Sequence, residues 1–469
     1  MILNHLKHLH FSGIKGVGMT ALALYAQDRG CIVTGSDVPE TFVTQEILVK
    51  RKIPISLGLL ASAVPKNTQA LIYSGAFPEN PQIDKARSLN IPALNYGQAL
   101  GDLTQDKRVV ATSGVGGKST TAAMIAVILE EAKLHPSFVV GVGNIPDLGV
   151  PGKYSAQGEI AVVEADEYAA DPQHDATAKF LYLNPELIVV TNIDFDHPDV
   201  YANLDETLIA YEKFVNKLTD GGPLLVNLDN PNVQKLLTRL AKSLRDRVVS
   251  YGFSPQAQWQ IGQFRQLEGK TEFEVSIKGV RLGMELSLPG KFNALNATAS
   301  IAAATHLGIS QARSIDALKN FSGTQRRFQR LGSVNGIEVW DDYAHHPSQI
   351  RSTLTAAKSW FGDKKLIAVF QPHTYSRTKA LLSDFAKALS LAEQTIITDI
   401  YASAREKRDD SISGNVLARE TEQYNRNTAF VTKRALLSYL KNSTKPGDVV
   451  MSLGAGDIYQ VMNDFVNQK

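Results

Sequence analysis

Val109-Val110-Ala111-Thr112-Ser113-Gly114-Val115-Gly116-Gly117-Lys118-Ser119-Thr120-Thr121 constrains this chain more than any other stretch. A β-branched apolar run enters glycines, then Lys-Ser, then a helical periodicity from about Thr120 to Glu131. That order describes a strand feeding a helix, hence an α/β layer. Glycines let backbone N–H groups turn inward around phosphate oxygens, and the helix start adds the positive end of its dipole. In such a cradle Lys118 reaches the outer phosphates and Ser119 is placed to ligate Mg2+. The strict eight-residue form of the pattern asks for glycine where this chain has Thr112.

Short apolar runs alternate with longer helical periodicities along all 469 residues, a length that allows about three domains of roughly 150 residues each. The first unit, 1–107, opens with a strand at Leu9–Phe11, a turn containing Gly13, Gly16 and Gly18, a helix from about Met19 to Arg29 and a strand at Ile32–Thr34; Ile53–Pro54 and Ala70–Tyr73 continue the theme. The second, 108–324, carries the phosphate loop, strands at Ile160–Glu164 and Leu187–Asn192, β alternation over Trp259–Leu288 and a helix at Ala294–Thr305. The third, 325–469, has strands at Glu338–Trp340, Leu366–Phe370, Thr395–Ile400 and Asp448–Ser452 with helices between them. Two acidic clusters, Glu164-Ala165-Asp166-Glu167 and Asp194-Phe195-Asp196-His197, each follow a strand of the second unit. In a parallel sheet both reach the carboxyl edge beside the phosphate loop, where Mg2+ finds carboxylate and imidazole.

Composition narrows the partners. Lys plus Arg is 49 against 47 for Asp plus Glu, which gives no electrostatic case for nucleic acid or an anionic membrane. The single cysteine, Cys31, excludes an internal disulfide framework and reads as a core residue. Histidine and lysine interrupt the apolar residues of Met1–His10, so the start is not a signal peptide, and no run approaches the ~18 apolar residues of a membrane span. A cytoplasmic protein is expected. His5, His8 and His10 have ligand-like spacing, but a frayed terminus or half-buried strand explains them better.

With these motifs in view, the chain resembles the Mur ligases, ATP-dependent carboxylate–amine ligases of peptidoglycan assembly. The family's loop is commonly G-T-H-G-K-[ST]-T; here it reads Gly114-Val115-Gly116-Gly117-Lys118-Ser119-Thr120, so the usual Thr-His pair is absent. Phe11–Met19, with Lys15 in place of a glycine, Thr34–Asp37 and Ser74–Pro81 resemble its UDP-binding domain. Glu164–Glu167, Thr191–His197 and Asn293–Ala297 resemble its central domain, with Phe292 where His is frequent. Gln325–Phe328, Asp341–Pro347, Phe370–Lys379, Asp399–Tyr401 and Gly454–Tyr459 resemble its third domain.

The resemblance implies a Rossmann-like UDP-binding domain, a central P-loop ATPase-like α/β domain and a Rossmann-like carboxyl-terminal domain. It implies ATP and Mg2+, and activation of the lactyl carboxylate of UDP-N-acetylmuramate as an acyl phosphate. The third-domain motifs favour L-alanine as the amine. The text Glu164–Tyr168, Lys179-Phe180 and the long gap from Glu164 to Asp194 lean towards members that add murein tripeptide. The altered Val115-Gly116 pair also leaves open a relative without ligase activity.

Carried over residue by residue, Gly114–Thr120, Asn296, Arg326 or Arg327, and Asp341 or Asp342 are expected at ATP. Ser119, Glu164 and His197 are expected at Mg2+, with Asp166 and Glu167 behind them. Gly13, Gly16, Val17, Gly18, Asp37 and Ser74 are expected at the UDP substrate, and Tyr343, His345 and Arg377 at the amino acid. Lys118, His345 and Arg377 are the expected catalytic set, the amine's proton going to His345, another base or water. Third-domain residues that must reach ATP on the second imply that the third domain closes on binding.

Overall fold

The computed structural model describes residues 3, 5–77, 79–267, 269–402 and 406–468. Pro78, inside the Ser74–Pro81 match, and Met1, Ile2 and Asn4 of the amino terminus lie outside them. Among the described residues three large sheets follow one another along the chain. The first is five-stranded and parallel, in the order Ile55–Leu57, Ile32–Asp37, His8–Ser12, Ala70–Tyr73, Ala93–Asn95. The expected strand at Ile53–Pro54 begins instead at Ile55, because Pro54 has no N–H for the ladder; its carbonyl accepts from Gly35 N.

The second sheet has ten strands. Its parallel centre sets Arg108–Ser113 between Ile160–Glu164 and Pro185–Val190. The Trp259–Leu267, Lys270–Ile277 and Val280–Leu286 strands form the expected antiparallel extension at one edge. The strand expected at Leu187–Asn192 stops at Val190, and Thr191 and Asn192 turn their side chains onto the phosphate loop. Between the acidic clusters, Ala169–Asp171 and Asp175–Ala178 form a separate hairpin. The third sheet has six strands, ordered Gln329–Val334, Ile337–Asp342, Val449–Leu453, Leu366–Phe370, Gln394–Ile397, Thr428–Phe430, parallel except for the first pair. Among the described residues no helix is long and apolar enough to cross a membrane.

Two helices fix the site's position. Lys118–Glu131 is buried at every residue from Ser119 to Leu129. The alanine-rich helix Lys291–His306 packs against it, buried from Ala297 to Ala304. Small side chains on both bring the backbones close, and Ser300 Oγ donates to Thr121 O at 3.3 Å. This contact delivers Asn296 to the base of the phosphate loop, where its Oδ1 accepts from Thr121 Oγ1 at 3.3 Å.

Candidate active site

The phosphate loop leaves the sheet after Ser113. Gly114 has φ +140° and Gly117 φ +87°. A Cβ at Gly114 would lie 2.1 Å from Thr191 Oγ1, and one at Gly117 2.5 Å from Asn296 Oδ1, so conformation and space both demand glycine. Thr112 is still within the strand, paired with Val189 and Glu164, and its hydroxyl donates to Lys118 O at 3.0 Å. No glycine is needed there, which accounts for the departure from the strict pattern. Thr191 Oγ1 and Asn192 Nδ2 each donate to Gly116 O at 2.7 Å, and Gly116 N donates to Asn192 Oδ1 at 2.9 Å.

Lys118 points away from the helix into the acidic clusters. Its Nζ lies 3.8 Å from Glu167 Oε2 and 4.0 Å from Asp166 Oδ1. Burial disfavours its charge, but Glu167, Asp166 and Glu164 outweigh that and hold the ammonium protonated above its ordinary range. Asp166 is likewise buried, yet Lys179, 2.7 Å away, and Lys118 keep it well below the usual carboxylate range. Glu167 goes the other way: burial, with Asp166 and Asp196 nearby, pushes it up to about 7 against the pull of Lys118.

Donor atoms of Glu167, Asp196 and His197 all lie within 4.8 Å of one another. Glu167 Oε2 is buried without a hydrogen-bond partner. Burial lowers His197 to about 4 despite Asp196, leaving a neutral imidazole at neutral pH. Hard carboxylate oxygens, an orphaned one among them, and an unprotonated ring nitrogen fit a divalent cation such as Mg2+. Of the expected ligands, His197 belongs to this group. Glu164 Oε2 accepts from Gly141 N at 2.8 Å, and Ser119 Oγ accepts from Arg327 Nη2 at 3.3 Å. Asp196 was part of the sequence motif but not singled out, and Glu167 stood only as a supporting residue. Which carboxylates of each cluster turn inward depends on where the strand ends.

The third domain reaches this edge through a strained junction: Arg326 and Phe328 have φ +64° and +46°. The two arginines separate here. Arg326 is buried, donating to Asp341 Oδ2 at 2.9 Å and to the carbonyls of Gly454 and Gly456 at 2.7 and 2.9 Å. Arg327 is the one that touches the loop, at Ser119. Asp341 is consumed by Arg326 and Ser452, whereas Asp342 accepts from Phe328 N and Ala344 N at 2.7 Å and lines a cavity of about 270 Å³. Gly117, Ser119, Asn296, Arg327 and Gln349 line the same cavity.

Arg377 is buried on Asp196, with Nε and Nη2 at 2.9 and 2.8 Å from Oδ1. His345 stands with Tyr343 and His373 around it, and its Nδ1 lies 2.9 Å from Tyr343 O. Burial, reinforced by Arg377, holds it well below the ordinary histidine range. In the first domain the Gly13–Gly18 turn, Asp37 and Ser74 converge at the carboxyl ends of three adjacent strands. Asp37 is engaged by its own loop, accepting from Lys15 N at 2.6 Å and Val38 N at 2.8 Å, while Lys15 Nζ donates to Val38 O and Glu40 O.

Family models match in the same order along the chain: the Mur ligase family catalytic domain over 8–108, the Mur ligase middle domain over 113–304, and the Mur ligase glutamate ligase domain over 326–456. UDP-N-acetylmuramate–L-alanine ligase of Desulfitobacterium hafniense (strain Y51) is 38% identical over 98% of this chain and 99% of its own length. The chain belongs to the Mur ligase family. The Salinibacter ruber UDP-N-acetylmuramate–L-alanine ligase is 37% identical to this Mur ligase, over 99% of the chain and 95% of that relative. Among solved structures, UDP-N-acetylmuramate–alanine ligase of Thermotoga maritima superposes with a TM-score of 0.81 at 28% identity, over 99% of both chains. A murein peptide ligase of Psychrobacter arcticus shares the fold, with a TM-score of 0.72 at 23% identity over 98% of both chains.

Proposed function

We propose that this Mur ligase joins L-alanine to the lactyl carboxylate of UDP-N-acetylmuramate in peptidoglycan precursor synthesis, converting ATP to ADP and phosphate. One observation carries the reading: Lys118 bridges the phosphate loop and the acidic clusters, while Arg327 of the third domain meets Ser119 of that loop. This is the geometry for bringing an anionic carboxylate to an anionic γ-phosphate. The full-length match to alanine-adding relatives supports the choice of amine. Division at 107/108 and 324/325 gives each sheet its own domain. Two of the three substrates, ATP and UDP-N-acetylmuramate, are nucleotides, which favours a cytoplasmic enzyme.

Gly114–Thr120 hold the triphosphate, with Asn296 and Asp342 on the nucleoside side. Lys118 and Arg327 neutralise the charge that develops as the carboxylate attacks the γ-phosphorus and ADP leaves. Glu167, Asp196 and His197, with Ser119 and Glu164 adjoining, would hold Mg2+, which would supply further charge neutralisation. The product of this step is an acyl phosphate on the substrate. Alanine's amine attacks its carbonyl carbon, and phosphate leaves. With Nδ1–H donated to Tyr343 O, neutral His345 offers Nε2 to the amine's proton. Arg377, braced on Asp196 and with Nη1 3.3 Å from His373 Nδ1, is the guanidinium available to recognise a carboxylate. The Gly13–Gly18 turn and Ser74 hold the UDP moiety, Asp37 bracing that turn.

An amine panel tests the assignment by ADP release with UDP-N-acetylmuramate present. Turnover with L-alanine is expected. Response to murein tripeptide alone would assign the chain to recycling, and ATP binding without amine-dependent turnover would make it an inactive relative.

A further inference from the structure

The replaced Thr-His pair leaves the peptide between Val115 and Gly116 without a side chain of its own at position 116. That peptide is nevertheless held at both ends. Its N–H donates to Asn192 Oδ1 at 2.9 Å, within the central domain. Its carbonyl accepts from Gln349 Nε2 at 2.7 Å, across the domain boundary. The same side chain's Oε1 accepts from His345 N at 3.1 Å. One amide therefore spans from the backbone of the expected proton acceptor to the backbone of the phosphate loop. A Cβ at Gly116 would lie 3.7 Å from Gln349 Cγ and 3.5 Å from Asn192 Nδ2, ordinary contact distances, so Gln349 and Asn192 flank position 116 closely while leaving room for a Cβ.

The helix carrying Gln349, Pro347–Phe361, is fastened at its start to the second acidic segment. Ser348 Oγ donates to Asp194 Oδ2 at 3.0 Å, and His346 Nε2 lies 3.2 Å from Phe195 O. Docking of the third domain thus brings Gln349 onto the loop. We propose that Gln349 is a positioning residue: it sets the Val115–Gly116 peptide of the phosphate loop for phosphoryl transfer when the third domain is docked. The role needs a donor towards Val115 and an acceptor towards His345 on one side chain. Glutamate loses the donor and sets charge against a carbonyl, and methionine loses both functions at similar length. Gln349 acts through the loop peptide rather than by a charge on the phosphates, so its removal is expected to act on the rate more than on affinity.

The test measures single-turnover and steady-state ADP formation, with thermal midpoints, in Gln349→Met, Gln349→Glu, Asn192→Ala and the Asn192→Ala/Gln349→Met double variant. Each Gln349 variant is expected to slow ADP formation about tenfold or more, the effect of a loop peptide displaced by loss of one positioning hydrogen bond. KM for ATP should stay within about threefold, as uniform binding is untouched, and the thermal midpoint within about 2 °C of the parent. Because both side chains hold one peptide, the double variant should lose much less than the product of the single losses. An unchanged rate in Gln349→Met, a rate that falls only as the midpoint falls, or fully multiplicative losses would overturn the proposal. The inference rests on the ligase reading. An inactive parent chain would strike that reading, whereas an active parent with an indifferent Gln349 strikes this inference alone.

Discussion

Arg326 and Arg327 are neighbours in sequence, and their text does not tell them apart. The structure gives them different work, because the left-handed backbone at 326 turns successive side chains in different directions. Arg326→Ala leaves Asp341 buried and uncompensated, and should cost about 3–5 kcal/mol in urea unfolding. Arg327→Ala should leave stability within about 0.5 kcal/mol and slow ADP formation about 10²-fold. The reverse pattern would contradict the assignment. His10, read against its ligand-like spacing as lying in a frayed terminus or a half-buried strand, is in a strand and buried: Nδ1 lies 2.8 Å from Thr34 Oγ1 and Nε2 3.3 Å from Ser36 Oγ. Burial lowers it to about 4. Since its unfolded value is near 6.5, the unfolded chain takes up its proton first as pH falls. Its stabilising contribution is complete above pH 6.5 and lost as pH drops towards 4. Between pH 7 and pH 5 this amounts to about 2 kcal/mol. His10→Asn should remove that component of the pH dependence in urea titrations of the first domain; an unaltered slope would contradict it.

The most regular elements were legible. Ala70–Tyr73, Ile160–Glu164 and Leu366–Phe370 are strands at the expected bounds, because fully buried parallel strands show as short unbroken apolar runs. The helix after the phosphate loop was expected from Thr120 and starts at Lys118, since the glycines supply its entry without a capping side chain. Long-range pairing was harder to read. That Asn192 chelates Gly116, or that Gln349 reaches Val115, depends on contacts across 76 and 234 residues, which local periodicity does not encode. Conflict at the helix pair Lys118–Glu131 and Lys291–His306 is testable through Gly117. Gly117→Ala forces alanine into the left-handed region at about 1–2 kcal/mol and drives Asn296 from the loop. ADP formation should fall at least tenfold with only a few degrees lost in thermal midpoint; parent-like turnover would show that the loop tolerates the shift.

At the scale of the molecule, the third domain meets the carboxyl edge of the central sheet. Arg377–Asp196, Ser348–Asp194, Arg327–Ser119 and Gln349–Val115 join the third domain to the second at the phosphate loop and the second acidic cluster. Domain order followed from the sequence through motifs whose sequence spacing is local. That the third domain reaches the second was expected from the same motifs, but the pairs that join them were not, because they are built from single side chains on separate units. The central claim is that Lys118 and its loop transfer the γ-phosphate of ATP to the lactyl carboxylate. Oxygen-18 placed in that carboxylate tests it directly, with mass analysis of the phosphate released in the presence of alanine. One labelled oxygen should appear in each phosphate, and Lys118→Ala should reduce label transfer at least 10²-fold. Phosphate released at the parent rate without label would contradict the account.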